Sequence, residues 1–335
     1  MNKMNIAFIF SYPHIVPSDG VYSQAMTWKK GLEDLNHVVT LVNMWNNYDW
    51  KSFDVILFFG FNEYMRDIIK WIYPINPNIA VAPILDPNYS LLALQCYARW
   101  GCSKLRLTNP YHSLRSIKDK IKVFLVRSNF EKRFLSKGFG ISGEKCKIVP
   151  LSYSIPVIGE INHNREPFCL HISLLCDARK NVKRLIDASV KYQFRLVLCG
   201  LLRSKEEEQT LADWMRGKTN VSYLGYVTKE KMIELYSKAK IFALPSTYEG
   251  VGIVALDAAT MGCDIVITKL GGPKEYYSGK AIEVNPYDTD EIGTAVKSFI
   301  DGKSFQPQLS KMIKETKSPK VLSCLLEETL SFGLK

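Results

Sequence analysis

The 335-residue sequence lacks any Cys-x-x-Cys pair; its eight cysteines, at positions 96, 102, 146, 169, 176, 199, 263 and 324, are scattered. Several sit in apolar runs, as in Leu196-Val-Leu-Cys199, where cysteine behaves as a small hydrophobe. A disulfide scaffold and a zinc site are disfavoured, and a reducing cytoplasm is the natural setting. Long hydrophobic runs are absent as well. Val55-Ile-Leu-Phe-Phe59 is strand-length, far short of the roughly 20 residues that span a bilayer. The apolar start, residues 1–10, runs into Tyr12-Pro-His14 with no small-residue cleavage site, so it reads as a first strand and not as a signal peptide. Neither half shows Gly-x-Gly-x-x-Gly directly after a strand, which disfavours a dinucleotide-dependent oxidoreductase.

What is present is ordinary for a globular chain: 47% hydrophobic and 23% charged residues, in a length that suits about two domains. Positive charge is in excess, at a formal +11, and it is concentrated. From Arg99 to Lys147 thirteen Lys and Arg stand against Asp119, Glu131 and Glu144, a net +10. Such a stretch is either a solvated face or a surface that meets an anionic partner. With no nucleic-acid motif beside it, an anionic membrane surface is preferred over nucleic acid.

Strand-like apolar runs alternate with helical patterns. In the first half they fall at 6–12, 38–42, 55–59, 79–84 and 123–128. In the second they fall at 168–173, 194–199, 221–226, 241–244, 264–268 and 281–284. Helices are expected at 21–35 and 129–138, and after the acidic boxes Ser204-Lys-Glu-Glu207 and Asp288-Thr-Asp-Glu291. This alternation predicts an α/β protein with two Rossmann-like domains facing a central cleft. The polar stretch 155–167, with two prolines and a glycine, separates domain 1–157 from domain 158–315. A last helix within 316–335 has no strand after it and is expected to pack back on the first domain.

The segment richest in chemistry is Ser246-Thr-Tyr-Glu-Gly-Val-Gly-Ile-Val-Ala-Leu-Asp257. Here an apolar strand turns through two glycines into an apolar helix. Glycines let a ligand approach the backbone, and a helix N-terminus offers unpaired N–H groups and a positive dipole to an anion such as a diphosphate. Glu249 and Asp257, eight residues apart, are placed to meet sugar hydroxyls; the plainer alternative is a cap and a solvated helix residue.

Taken in order, Tyr223-Leu-Gly-Tyr-Val227, residues 232–236 and 239–246, Glu249-Gly-Val-Gly252 and Gly271-Gly-Pro-Lys-Glu275 resemble the C-terminal domain of GT-B glycosyltransferases. The match is nearest to retaining family 4, the glycosyl transferases group 1, and runs from about 168 to 300. The resemblance implies a Glu-x7-Glu pair whose first acid, Glu249, lies near the transferred sugar and whose second holds the ribose. The second position is Asp257, one methylene shorter, so either the ribose sits closer or a water intervenes. The family's basic pair maps to Leu174, where its arginine would stand, and to Lys180, with Arg179 as a substitute cation. Gly20, Tyr226, Ser246, Gly250, Val251, Gly252 and Ile253 fall on the donor side. On the acceptor side, Asp86 takes the place of a family histidine, and His14 is a free-standing candidate.

The expected activity is transfer of a sugar from a nucleotide sugar, such as a UDP- or GDP-sugar, to a saccharide or lipid-linked saccharide acceptor. Retention of configuration by front-face attack is implied, in cell-surface polysaccharide or glycolipid synthesis. Glu249 and Lys180 are the expected catalytic residues. No cofactor and no metal are expected, Lys180, Arg179 and the helix N-terminus taking the leaving-group charge instead. The setting is cytoplasmic, peripheral on the inner face of the plasma membrane. The alternative is a catalytically impaired relative that binds a sugar or a partner, motivated by the altered arginine, histidine and second glutamate.

Overall fold

A computed structural model describes residues 3–11, 20–43, 45–86, 90–101, 107, 109–156 and 164–333. The chain divides into two compact units, Met1–Ser152 with Pro319–Lys335, and Tyr153–Ser318. Each is built on a six-stranded sheet whose strand pairs are all parallel. This is the α/β architecture that the alternating pattern predicts.

In the first unit the chain runs β1 (Asn5–Phe10), α1 (Gly20–Asp34), β2 (Val38–Leu41), β3 (Val55–Phe59), α2 (Glu63–Ile72) and β4 (Ile79–Ala82). It continues through α3 (Leu91–Arg99), α4 (Pro110–Ile117), β5 (Val123–Val126), α5 (Asn129–Phe139) and β6 (Cys146–Ile148). The sheet order is β2-β1-β3-β4-β5-β6. β3, β4 and β5 are buried at every position, as strands covered by helices on both faces must be. Helix starts follow the side-chain cap rule: Asn62, Ser90, Asn109 and Ser128 each accept a backbone N–H three residues on.

The second unit runs β7 (Glu166–Ile172), α6 (Val182–Lys191), β8 (Arg195–Cys199), α7 (Lys205–Met215), β9 (Val221–Tyr223), α8 (Lys229–Lys238) and β10 (Ala239–Leu244). Then come α9 (Ile253–Thr260), β11 (Asp264–Thr268), β12 (Ile282–Val284), α10 (Thr289–Ile300) and α11 (Gln308–Thr316). Its order, β12-β11-β10-β7-β8-β9, reverses direction between β7 and β10. In open parallel sheets the loops leaving the strand ends at such a reversal diverge and leave room for a ligand.

The final helix, α12 (Pro319–Gly333), packs along α1. His37 Nε2 lies 3.0 Å from Glu327 Oε1, and Ser323 Oγ fills the space beside Gly31, where a β-carbon would come within 1.8 Å of it.

Several described cations of the basic stretch have local partners. Arg127 is buried: burial works against its charge, but the Asp86 and Glu131 carboxylates more than offset that and raise its pKa. Arg115 and Lys118 donate to the Phe139 and Gly140 carbonyls, Lys145 donates to Lys118 and Ile121 carbonyls, and Lys120 covers the Tyr73 ring.

Candidate functional site

The reversal point of the second sheet collects the chemistry. Beyond β7 the chain forms a single 3-10 turn, Ala178–Lys180, opened by Asp177, whose carboxylate accepts the Arg179 N–H. Beyond β10 it passes Pro245 to the segment that precedes α9. Hydrogen bonds join these loops: Thr247 N donates to Arg179 O at 2.8 Å, and Asn181 Nδ2 donates to Pro245 O at 3.0 Å. The pairing sets Lys180 and Arg179 against Glu249. Lys180 Nζ lies 2.7 Å from Glu249 Oε2, and Arg179 Nη1 lies 3.5 Å from Oε1. Ser246 Oγ donates to Glu249 Oε2 at 3.2 Å. Arg179 also lies over the Tyr248 ring, at 5.5 Å from its centre.

The Glu249 backbone is held as firmly as its side chain. It forms a parallel bridge to Gly271, and Gly272 N donates to its carbonyl at 3.2 Å. Gly271 has φ +94°, and a β-carbon there would come within 2.0 Å of the Glu249 carbonyl oxygen. Only glycine meets both conditions. Gly252, at φ +75°, is the residue from which α9 starts, and no side chain caps the helix. Ala255 N and Leu256 N donate to the Gly252 carbonyl, so the N–H groups without an acceptor inside the helix are those of Ile253 and Val254.

Asp257 has a different environment from the one the sequence suggests. It is 2% exposed, and its carboxylate accepts Ser154 N at 2.6 Å and Ser154 Oγ at 2.8 Å. The plainer expectation of a solvated helix residue is corrected: α9 carries Asp257 on its inward face. Burial raises its pKa to about 6, against the lowering effect of the Ser154 hydrogen bonds. Lys229 donates to Ser154 O at 2.9 Å and so holds the same segment from the other side.

The other candidates separate. Gly250, Val251 and Gly252 are buried and Ile253 is half-buried at the start of α9. Tyr226 lies beyond β9 and is 70% exposed, with Leu224 exposed on the same loop and Leu201 exposed on the loop after β8. Leu174, also exposed, follows β7. Gly20 and Asp86 belong to the first unit. Gly20 is exposed at the start of α1, whereas Asp86 receives Arg127 Nη2 at 2.6 Å. The turn before Asp86 places Ile84 at φ +53°, a strained conformation for a β-branched residue. Glu131 holds that turn by accepting Leu85 N at 2.6 Å. His14 lies outside the described residues.

Two contributors are invisible to motif reasoning. Ser154 stands 103 residues from Asp257 in sequence. His171 is buried in β7 between Ala243 O, at 2.8 Å from Nδ1, and Ser173 Oγ, at 2.7 Å from Nε2. Burial depresses its pKa to about 4 despite the carbonyl contact, so it is neutral and ties the end of β7 to β10. A histidine within the apolar run Phe168–Ile172 was its one cue.

Residues 158–318 match the family model described as glycosyl transferases group 1. The O-antigen chain mannosyltransferase B of Escherichia coli is 24% identical over 218 residues, which are 58% of this chain and 55% of that protein. The chain thus spans about half the length of this curated relative, and 20% of the serotype-specific mannosyltransferase WbdA of Escherichia coli. Among solved structures, a sucrose-phosphate synthase from Thermosynechococcus elongatus aligns with a TM-score of 0.73 at 14% identity, covering 98% of this chain and 99% of that one. The lipopolysaccharide outer core galactosyltransferase WaaB aligns with a TM-score of 0.72, also at 14% identity and the same coverage. These alignments establish the GT-B fold.

Proposed function

We propose that this chain, whose residues 158–318 match the family model described as glycosyl transferases group 1, transfers a sugar from a nucleotide-sugar donor, with the diphosphate in front of α9. The observation that carries the reading is the convergence of Lys180, Arg179 and Glu249 at the strand reversal. Breaking the sugar–phosphate bond builds negative charge on the departing diphosphate. Lys180, Arg179 and the uncapped N–H groups of α9 are the groups positioned to stabilise it. Glu249, held by Ser246 and by its backbone bridge, is the acid at the transferred sugar. In this reading the arriving diphosphate shares the two cations with Glu249, and the carboxylate is left to orient sugar hydroxyls. Exposed Tyr226 and Leu224 offer an apolar rest for the nucleobase.

The reaction is read as retaining and metal-independent, with no protein nucleophile. The acceptor is read as a saccharide or lipid-linked saccharide of a cell-surface polysaccharide, a class supported by relatives named for O-antigen and lipopolysaccharide core. In the first unit Asp86 is read as an acceptor-side residue and Gly20 as a donor-side one. Release of nucleoside diphosphate from a panel of UDP-, GDP-, ADP- and CDP-sugars, with and without oligosaccharide acceptors, tests the reading. No turnover with any donor would sink it. Binding without turnover would favour the impaired-relative alternative, which gains some weight from Leu174 and from the engagement of Asp257 by Ser154.

A further inference from the structure

One surface of the first unit is not used by this chemistry. On α3, Leu94 and Ala98 point inward, and Leu94 fills the space beside Gly138 of α5. The opposite side carries Leu92, Cys96 and Arg99 at i, i+4 and i+7 spacing, a single outward stripe, and all three are exposed. Trp100, which ends the helix, is 79% exposed and Leu92 is 74% exposed. The backbone at the end of the helix is fixed. Asn109 Nδ2 donates to the Tyr97 and Trp100 carbonyls at 3.1 and 3.0 Å, and Gly101 passes so close to the His112 ring that a β-carbon would meet it at 2.6 Å.

Cations flank this apolar stripe. Gln95 of α3 donates to the Lys137 carbonyl of α5 at 2.9 Å, which fixes α5 alongside. Arg133 and Lys137, one turn apart on α5, are exposed and take part in no ion pair among the described residues. Negative charge is missing. Between Asp86 and Asp119 the sequence contains no acidic residue, and the only acid on α5, Glu131, is buried against Arg127.

We infer that the outward face of α3, with Arg133 and Lys137 of α5, is a docking surface for an anionic lipid leaflet. A Trp and a Leu on the exposed side of a short helix suit the headgroup boundary, while Arg99, Arg133 and Lys137 supply the attraction to anionic headgroups. Within the basic stretch this patch is where exposed cations stand beside an exposed apolar stripe. This inference does not rest on the transferase reading, and the two are tested apart.

The test is co-sedimentation of the full chain with phosphatidylcholine–phosphatidylglycerol vesicles, against pure phosphatidylcholine. The anionic vesicles alone should bring the protein down at low salt, and added salt should release it. Arg133→Gln with Lys137→Gln should lower the partition coefficient about 25-fold, at about fivefold per cation. Trp100→Ala should lower partitioning and leave its salt dependence unchanged. Equal sedimentation on neutral vesicles, no sedimentation, or wild-type partitioning of the Arg133/Lys137 variant overturns the inference. Retention by a DNA duplex without vesicle binding overturns it in favour of nucleic acid. In the same variants a nucleoside diphosphate should raise the melting temperature as in wild type. If no nucleotide does so but anionic vesicles still bind, the transferase reading fails and the docking surface stands.

Discussion

Lys180 Nζ lies 2.7 Å from Glu249 Oε2, across 69 residues of sequence. The two meet because the strands they follow, β7 and β10, are neighbours at the point where the sheet order reverses. The pair is well shielded, with the lysine side chain 13% and the glutamate side chain 9% exposed. A lysine placed this way is not a solvated helix-start residue.

Lys180→Ala should collapse turnover while the far-UV circular dichroism stays that of wild type. Loss of one well-placed donor to a developing anion costs about 3 kcal/mol, or roughly a hundredfold in kcat. Lys180→Gln, which removes charge while keeping most of the length, separates the electrostatic part from packing. Wild-type turnover in both would remove Lys180 from the mechanism.

Glu249→Gln preserves the shape and the Ser246 contact but removes the charge. If this acid acts at the reacting sugar, kcat should fall with little change in KM. A change confined to KM would make Glu249 a binding group alone.

Gly271→Ala tests the backbone support of Glu249. The added β-carbon would stand 2.0 Å from the Glu249 carbonyl, at a φ of +94° that side chains avoid. Strain of this kind costs about 1–3 kcal/mol, and calorimetry should record a lowered melting temperature together with lost activity. Gly279→Ala is the control: φ is +75° there too, but nothing lies within 4 Å of the added carbon, so activity should be retained.

Asp257 predicts a pH dependence of stability. Its pKa is raised by burial to about 6, from the ordinary aspartate value of 3.8. A carboxyl whose folded pKa is raised binds its proton more tightly in the folded state. Its contribution is therefore fully present below the unfolded value and is lost as pH rises through about 6. At about 1.4 kcal/mol per pKa unit, this reaches about 3 kcal/mol. Denaturant unfolding of wild type should show a loss of this order between pH 4 and pH 6 that Asp257→Asn lacks. The Ser154 hydroxyl can turn to accept from the asparagine amide, so the contact survives. An identical pH profile in both proteins would contradict the assignment.

How much of this was legible in the sequence depended on range. Fully apolar strands such as Val55–Phe59 and Asp264–Thr268 stand out because both of their faces are covered. The three-residue β6, Cys146–Ile148, is too short to show a period and is missed. The strand expected at 221–226 ends at Tyr223, since Gly225 adopts φ +79° and breaks the extended run. At the site, Glu249 and Lys180 were legible through motif resemblance. The Asp257–Ser154 contact was not, because nothing local marks a partner 103 residues away. Arg127 shows the same limit: a run of cations gives no sign that one of them is buried between Asp86 and Glu131.

The central claim, that the loops beyond β7 and β10 bind the diphosphate of a nucleotide sugar, is tested most directly by thermal shift with UDP, GDP, ADP and CDP. A ligand at a hundred times its Kd stabilises the native state by about 2.7 kcal/mol. At least one of the four should raise the melting temperature of the wild-type chain, and Lys180→Ala should remove most of that rise. No shift with any of them, or an undiminished shift in Lys180→Ala, would contradict the account.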